Sequence, residues 1–118
     1  MTMPAAGVYI AFFCLRQPRR IRIGRLGTIT FQAGVYAYAG SAQKNLLARL
    51  RRHARRRKPR RWHIDYLSVR ARMTGAVVIV GPKAWECKLA RRLKASAEHM
   101  IPGFGCTDCG CPSHLYRL

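Results

Sequence analysis

Twenty-three lysine and arginine side chains share this chain with only four carboxylates, a formal charge of +19 on 118 residues. Like charges at that density repel one another in any compact state, so apolar segments must hold the fold, and a polyanionic partner best accounts for the surplus. The apolar material is present: 49% of residues are hydrophobic, and aromatic and branched side chains run through the whole chain. That excludes an intrinsically disordered tail. A chain of this length forms one domain, residues 1–118, with one modest core. Its longest apolar run, Ala5 to Leu15, already contains Gly7 and Tyr9 and falls well short of the ~20 residues of a membrane span. The arginines follow that run instead of preceding it, unlike a secretory leader, so no membrane association and a cytoplasmic location are expected. The polyanion that suits this charge best is a phosphate backbone, DNA or RNA.

Patterning divides the chain into strands first and helices later. Gly7 to Leu15 reads as a buried strand, Arg20 to Ile23 and Thr28 to Gln32 as strands around a glycine-bracketed turn, and Val35 to Ala39 as a strand with Tyr36 and Tyr38 on one face. The opening third therefore predicts a three-stranded antiparallel unit. From Gln43 to Arg57 the period becomes helical, with Leu46, Leu47, Leu50 and Ala54 on one stripe, Ser41 as cap and Pro59 as stop. Trp62 to Leu67 fits neither period. Val77 to Val80 reads as a buried central strand, Lys83 to Ala97 as a second amphipathic helix, and the final HLYRL as a last strand after a cysteine-rich tail, residues 102–118. The fold class is α+β, a small, mainly antiparallel central sheet flanked by helices.

Three constellations carry chemistry. On the second helical wheel Glu86 falls within the apolar arc of Trp85, Leu89, Ala90, Leu93 and Ala97. A carboxylate facing protein must be paired, protonated or bound to a cation, so Glu86 either complements the helix dipole, pairs with an arginine or ligates a divalent metal. On the first helix Arg49 and His53 stand one turn apart. The forked guanidinium suits non-bridging phosphate oxygens and the imidazole suits proton transfer, although nine basic residues between Arg49 and Arg61 make such spacings common. Arg51, Arg52, Arg55, Arg56, Arg57, Lys58, Arg60 and Arg61 form the expected nucleic-acid-binding run. In the tail, Cys106, Cys109, Cys111 and His114 offer four Zn²⁺ ligands within nine residues, with tail packing or a site-facing His114 as the alternatives, and Cys87 placed to approach the same tail.

Gly7-Val8-Tyr9, Tyr38-Ala39-Gly40, Arg49 with His53, and Glu86 occur in that order, and the ordering resembles the GIY-YIG nuclease superfamily. The segments GVY, YAYAGSA, RLRRH, WHIDYL, ECKLA and GFGCTDCGCPSHLY are similar to a little-characterised, Uri-type branch of it, found alone or fused to endonuclease III-type DNA glycosylases. The resemblance covers most of the chain. It implies a GIY-YIG-like fold and one-metal hydrolysis of DNA phosphodiester bonds, in DNA repair and alongside a glycosylase partner. Tyr9, Tyr38, Arg49 and His53 would be catalytic, His63 a further candidate from its place in WHIDYL, and Glu86 would hold Mg²⁺ or Mn²⁺. Tyr9 or Tyr38 would help activate water, its pKa lowered by the basic field together with the metal. The superfamily's late active-site asparagine has no counterpart; Asp108, Ser113 and His114 are the replacements to hand. The alternative is a catalytically silent nucleic-acid-binding domain of the same fold.

Overall fold

The computed structural model describes residues 4–106 and 109–118. Its strands are Gly7–Leu15 (β1), Arg19–Arg22 (β2), Thr28–Phe31 (β3), Gly34–Ala42 (β4), Arg72–Ile79 (β5), His99–Met100 (β6) and Leu115–Arg117 (β7). The helices are Leu46–Ala54 (α1), His63–Ser68 (α2) and Trp85–Ser96 (α3). Five strands form one antiparallel sheet in the order β5-β1-β4-β7-β6, and β2 and β3 make a separate hairpin. The architecture is α+β, as the patterning implies.

Side-chain alternation sets the two faces of the sheet. Tyr9, Ala11, Phe13 and Leu15 of β1, with Tyr36, Tyr38 and Ala42 of β4, meet Leu46 and Leu50 of α1, Ile64 and Leu67 of α2, and Ile21 and Phe31 of the hairpin in the main core. Ala37 and Ala39 of β4 and Tyr116 of β7 face the other way, against Ala90 and Leu93 of α3. Small side chains on that face let α3 lie close to the centre of the sheet. A helix–sheet–helix sandwich results, with the hairpin closing one side of the main core.

Four sequence expectations are corrected here. The opening third is not a three-stranded unit: β1 pairs directly with β4 over nine positions, Gly7↔Ala42 to Leu15↔Gly34, while β2–β3 folds over the sheet face. Only Ile21 of the short, arginine-rich β2 is apolar, so it contributes that side chain to the core and leaves its arginines in water. The segment Val77 to Val80 is not central, since β5 lies at the sheet edge and Val77 is 49% and Val80 72% exposed. A run of β-branched residues states strand propensity but not which faces are covered. Helix α1 is shorter than 43–57, and its buried face is Leu46, Leu50 and His53, with Leu47 40% exposed and Ala54 also exposed. Seven residues complete two turns, so His53 returns to the side of Leu46. Ser41 stays within β4; the residue before α1 is Asn45, in the left-handed region at φ 56°.

The unassigned segment Trp62 to Leu67 folds as α2 because Asp65 organises its start. The buried carboxylate accepts the backbone N–H groups of Arg61 (2.8 Å) and Trp62 (3.0 Å) and a 2.8 Å bond from Arg52. Burial alone would raise its pKa, but those donors outweigh it and hold Asp65 below the ordinary carboxylate value. Lys58 Nζ closes the end of α1 by donating to the carbonyls of Arg52 and His53, 2.7 and 3.2 Å away. Among the described residues, no helix is long and apolar enough to cross a membrane.

Candidate active site

Element ends converge on one cleft of about 530 Å³. Tyr9 from β1, Tyr38 and Ser41 from β4, Arg49 and His53 from α1, His63 from α2 and Glu86 from α3 all line it, with Lys44, Arg61 and Lys83 on its walls. All six residues expected to do chemistry, Tyr9, Tyr38, Arg49, His53, His63 and Glu86, are therefore neighbours. Among the lining residues Glu86 is the sole carboxylate.

The two tripeptides interlock. Tyr9 stands opposite Gly40 in the β1–β4 register, and a Cβ on Gly40 would lie 2.6 Å from the Tyr9 Cζ and hydroxyl. The glycine of Tyr38-Ala39-Gly40 thus provides the space that the tyrosine of Gly7-Val8-Tyr9 occupies. Gly7 faces a similar constraint, since its Cβ would come 2.8 Å from the Ile79 carbonyl oxygen of β5.

The Tyr9 hydroxyl and His53 Nε2 share a 2.6 Å hydrogen bond in a buried setting, and the Tyr38 ring lies edge-on to His53 at 5.9 Å. Burial, with the Lys58 charge beside it, lowers the His53 pKa to about 3, so the imidazole is neutral at ordinary pH. Burial also drives both phenols upward: Tyr9 rises despite the counter-pull of Arg49, and Tyr38 also rises well above the ordinary value, with Tyr9 and Glu86 adding to the effect. The basic field by itself does not bring the expected lowering, because desolvation exceeds what the nearby arginine returns. His63 is likewise pushed down by burial, and its Nδ1 accepts the Gly105 N–H at 2.9 Å. In the neutral ring that leaves the proton on Nε2.

Arg49 is fixed on two sides. It donates to the Ser41 carbonyl at 2.9 Å and lies over the Trp62 ring at 4.7 Å, which leaves other N–H groups of the guanidinium for an anion. Glu86 reaches the cleft around the end of the sheet. Ser41 donates to its Oε1 at 2.7 Å, and His114 Nδ1 stands 3.4 Å from its Oε2. Its side chain is 22% exposed, facing protein as the wheel requires. A single carboxylate with the Ser41 hydroxyl on one of its oxygens is a hard donor set, the kind that Mg²⁺ or Mn²⁺ takes and completes with water and phosphate oxygens.

Ser41 escapes sequence reading because a serine ahead of a helical pattern is indistinguishable from a cap. Trp62 escapes because its partner is thirteen residues away. Of the candidates for the missing asparagine, Asp108 lies outside the described residues, and Ser113 is buried with its hydroxyl on the Leu115 carbonyl. His114 is the one that touches Glu86.

Behind Glu86, Cys87, Cys109, Cys111 and His114 bring their ligand atoms within 4.8 Å of one another, a Cys₃His cluster that can hold a metal ion. The expected set exchanges Cys106 for Cys87, since the Cys106 thiol donates to the Phe104 carbonyl at 3.3 Å. All five cysteines are free thiols. Burial, then neighbouring thiols, raises Cys106 and Cys111 to about 12.

The basic run separates. Arg51, Arg55, Arg56, Arg57, Arg60 and Arg61 are exposed, whereas Arg52 is held by Asp65 and the Lys58 side chain is fully buried. The model of a domain of unknown function, DUF123, matches residues 8–118, and the chain belongs to that family. No curated protein and no solved structure matches it.

Proposed function

We propose that this member of the DUF123 family is a metal-dependent endonuclease that hydrolyses DNA phosphodiester bonds in the cleft. The observation that supports this most is the meeting of a Tyr9–His53 hydrogen bond, a pinned Arg49 and the sole cleft carboxylate, Glu86, from three separate elements inside a basic rim. The location proposed is the cytoplasm, in DNA repair with a glycosylase partner, and RNA is the second substrate class to assay. The hard carboxylate of Glu86 supports Mg²⁺ or Mn²⁺ as its ion, and the thiol cluster supports Zn²⁺.

Arg49 binds a non-bridging phosphate oxygen and offsets the charge that builds on it in the transition state. A phenol raised by burial is a poor free base, so Tyr9 works through its neighbour. Water gives a proton to the Tyr9 oxygen as Tyr9 passes its own to His53 Nε2, and an imidazole whose pKa is held at about 3 keeps that proton only in passing and releases it as the product forms. The water oxygen bonds to phosphorus, and the bond from phosphorus to the leaving oxygen breaks. His63 Nε2–H donates a hydrogen bond toward the phosphate. A hard divalent cation held by Glu86 supplies Lewis-acid polarisation of the phosphate.

Purified protein incubated with single-stranded, duplex and branched DNA, with Mg²⁺ or Mn²⁺ or with chelator, tests this directly. Metal-dependent cleavage should fall by about 10²- to 10⁴-fold in Tyr9→Phe, and Glu86→Ala should abolish it. Tight binding with every substrate intact would instead establish a catalytically silent nucleic-acid-binding domain.

A further inference from the structure

We propose that Cys87, Cys109, Cys111 and His114 bind one soft divalent cation of the Zn²⁺ class, and that His114, held by that cation through Nε2, positions Glu86 through Nδ1. The cation staples the cysteine tail to α3. The positioning half concerns the carboxylate on which the endonuclease reading rests, whereas cation binding stands apart from that reading.

With metal–sulfur and metal–nitrogen distances of ~2.3 and ~2.0 Å, a tetrahedral site of three sulfurs and one nitrogen has ligand–ligand edges of roughly 3.5–3.8 Å. His114 Nε2 lies 3.4 Å from Cys109 Sγ and 4.0 Å from Cys87 Sγ, and no pair in the set is separated by more than 4.8 Å. Closing the set around one ion therefore needs shifts of ångström size or less. Three thiols and an imidazole select Zn²⁺ over the hard cations suited to Glu86. None of the cysteines is committed to a disulfide. On coordination each thiol releases its proton to solvent.

The two ring nitrogens of His114 divide the work. Nε2 points at the sulfurs, while Nδ1 faces the Ala39 carbonyl at 3.2 Å and Glu86 Oε2 at 3.4 Å. A metal on Nε2 places the remaining proton on Nδ1, where it is donated to those oxygens. That outer contact fixes the ring and strengthens the ligand. Because His114 is 1% exposed and its chain is pinned by the Ala39 N–H to His114 carbonyl bond of 2.9 Å, the ring has little freedom to turn away. Adjacent helix positions thus serve adjacent sites: Glu86 turns to the cleft and Cys87 to the cation.

Titration of chelator-stripped full-length protein with Co²⁺ is the test. One equivalent should bind, with the intense visible bands and thiolate charge transfer of a tetrahedral cobalt–thiolate site. Cys106→Ala should keep both features, and Cys109→Ala should lose them. Absence of those bands in the wild type, or equal loss in Cys106→Ala, overturns the cation site. For the positioning half, Glu86→Gln should weaken Co²⁺ binding about 10- to 100-fold, with exposed Glu98→Gln as a control. In a His114→Cys background, which keeps four ligands but no Nδ1, Glu86→Gln should have no effect. Equal Co²⁺ affinity in wild type and Glu86→Gln, or an undiminished effect in the His114→Cys background, overturns the bridge. These readouts involve no DNA, so a failure of cleavage leaves them standing, and their failure leaves the cleavage assay to be judged on its own.

Discussion

His53 is 1% exposed, its Nε2 is taken by Tyr9, and its Nδ1 has no partner among the described residues. Protonating such a ring would put a cation beside Lys58 and Arg49 in a desolvated place, which is why its pKa falls from 6.5 to about 3. That shift has a consequence for stability. Between those two values the unfolded chain binds a proton that the native chain refuses, so the free energy of unfolding drops as pH falls through the window. The slope is at most ~1.4 kcal/mol per pH unit, and the contribution is fully present above the unfolded value. Urea midpoints measured from about pH 7 to about pH 4 should fall more steeply in the wild type than in His53→Gln, by close to one proton of linkage; parallel profiles would show that His53 is not held neutral. The residue types of the site are legible in the sequence, since order along the chain singles out Tyr9, Tyr38, Arg49, His53 and Glu86. Their protonation states are not, because desolvation depends on what packs around a group and not on its neighbours in sequence.

The pairing of β1 with β4 is what brings the two tyrosines to α1, and its tightest point is Tyr9 against Gly40. The hydroxyl end of Tyr9 is not a flexible terminus free to move, since it is bonded to His53. Gly40→Ala should therefore overpack this point and cost roughly 1–3 kcal/mol, and it should break the Tyr9–His53 bond. Gly75→Ala in β5, where an added Cβ meets nothing within 4 Å, is the matched control. Denaturant unfolding of both variants checks the difference, and equal stability would mean that Tyr9 has room to move. Most elements are readable from period alone, β1 to its observed limits. Two failures share one cause. Pattern puts Val77 to Val80 at the centre and Leu47 in the core because apolar character reports a preference for burial, whereas the partner that buries a residue is set by sheet order and by the turn count of the helix. Pattern misjoins the hairpin for the same reason: its strands are recognisable, but their neighbours are chosen across long stretches of chain.

At the scale of the whole molecule the run from Arg49 to Arg61 is one patch in sequence, and folding distributes it. Arg49 and Arg61 face the cleft with Lys44 and Lys83. Arg56 joins Arg16, Arg19, Arg70 and Arg72 around a second groove beside the end of β1. Arg52 and Lys58 turn inward to Asp65 and to the end of α1. Charge alone cannot foretell this division, since it depends on where the scarce carboxylates lie, and Asp65 is the one that draws two bases inside. The division separates two effects of removing an arginine. Binding to a labelled duplex, followed by fluorescence anisotropy, should weaken linearly in log salt, because each neutralised phosphate releases condensed counterions. Arg60→Gln with Arg61→Gln removes two exposed charges and should reduce the slope by up to ~0.9 for each phosphate that these side chains neutralise. Arg52→Gln removes one formal charge from a side chain committed to a buried carboxylate, so it should leave the slope unchanged and lower the unfolding free energy by about 2–4 kcal/mol, discounted for the partial exposure of the guanidinium. A flat salt response in the wild type would remove the polyanion as the partner, and a slope change in Arg52→Gln as large as that of the surface pair would show that Arg52 reaches the ligand after all.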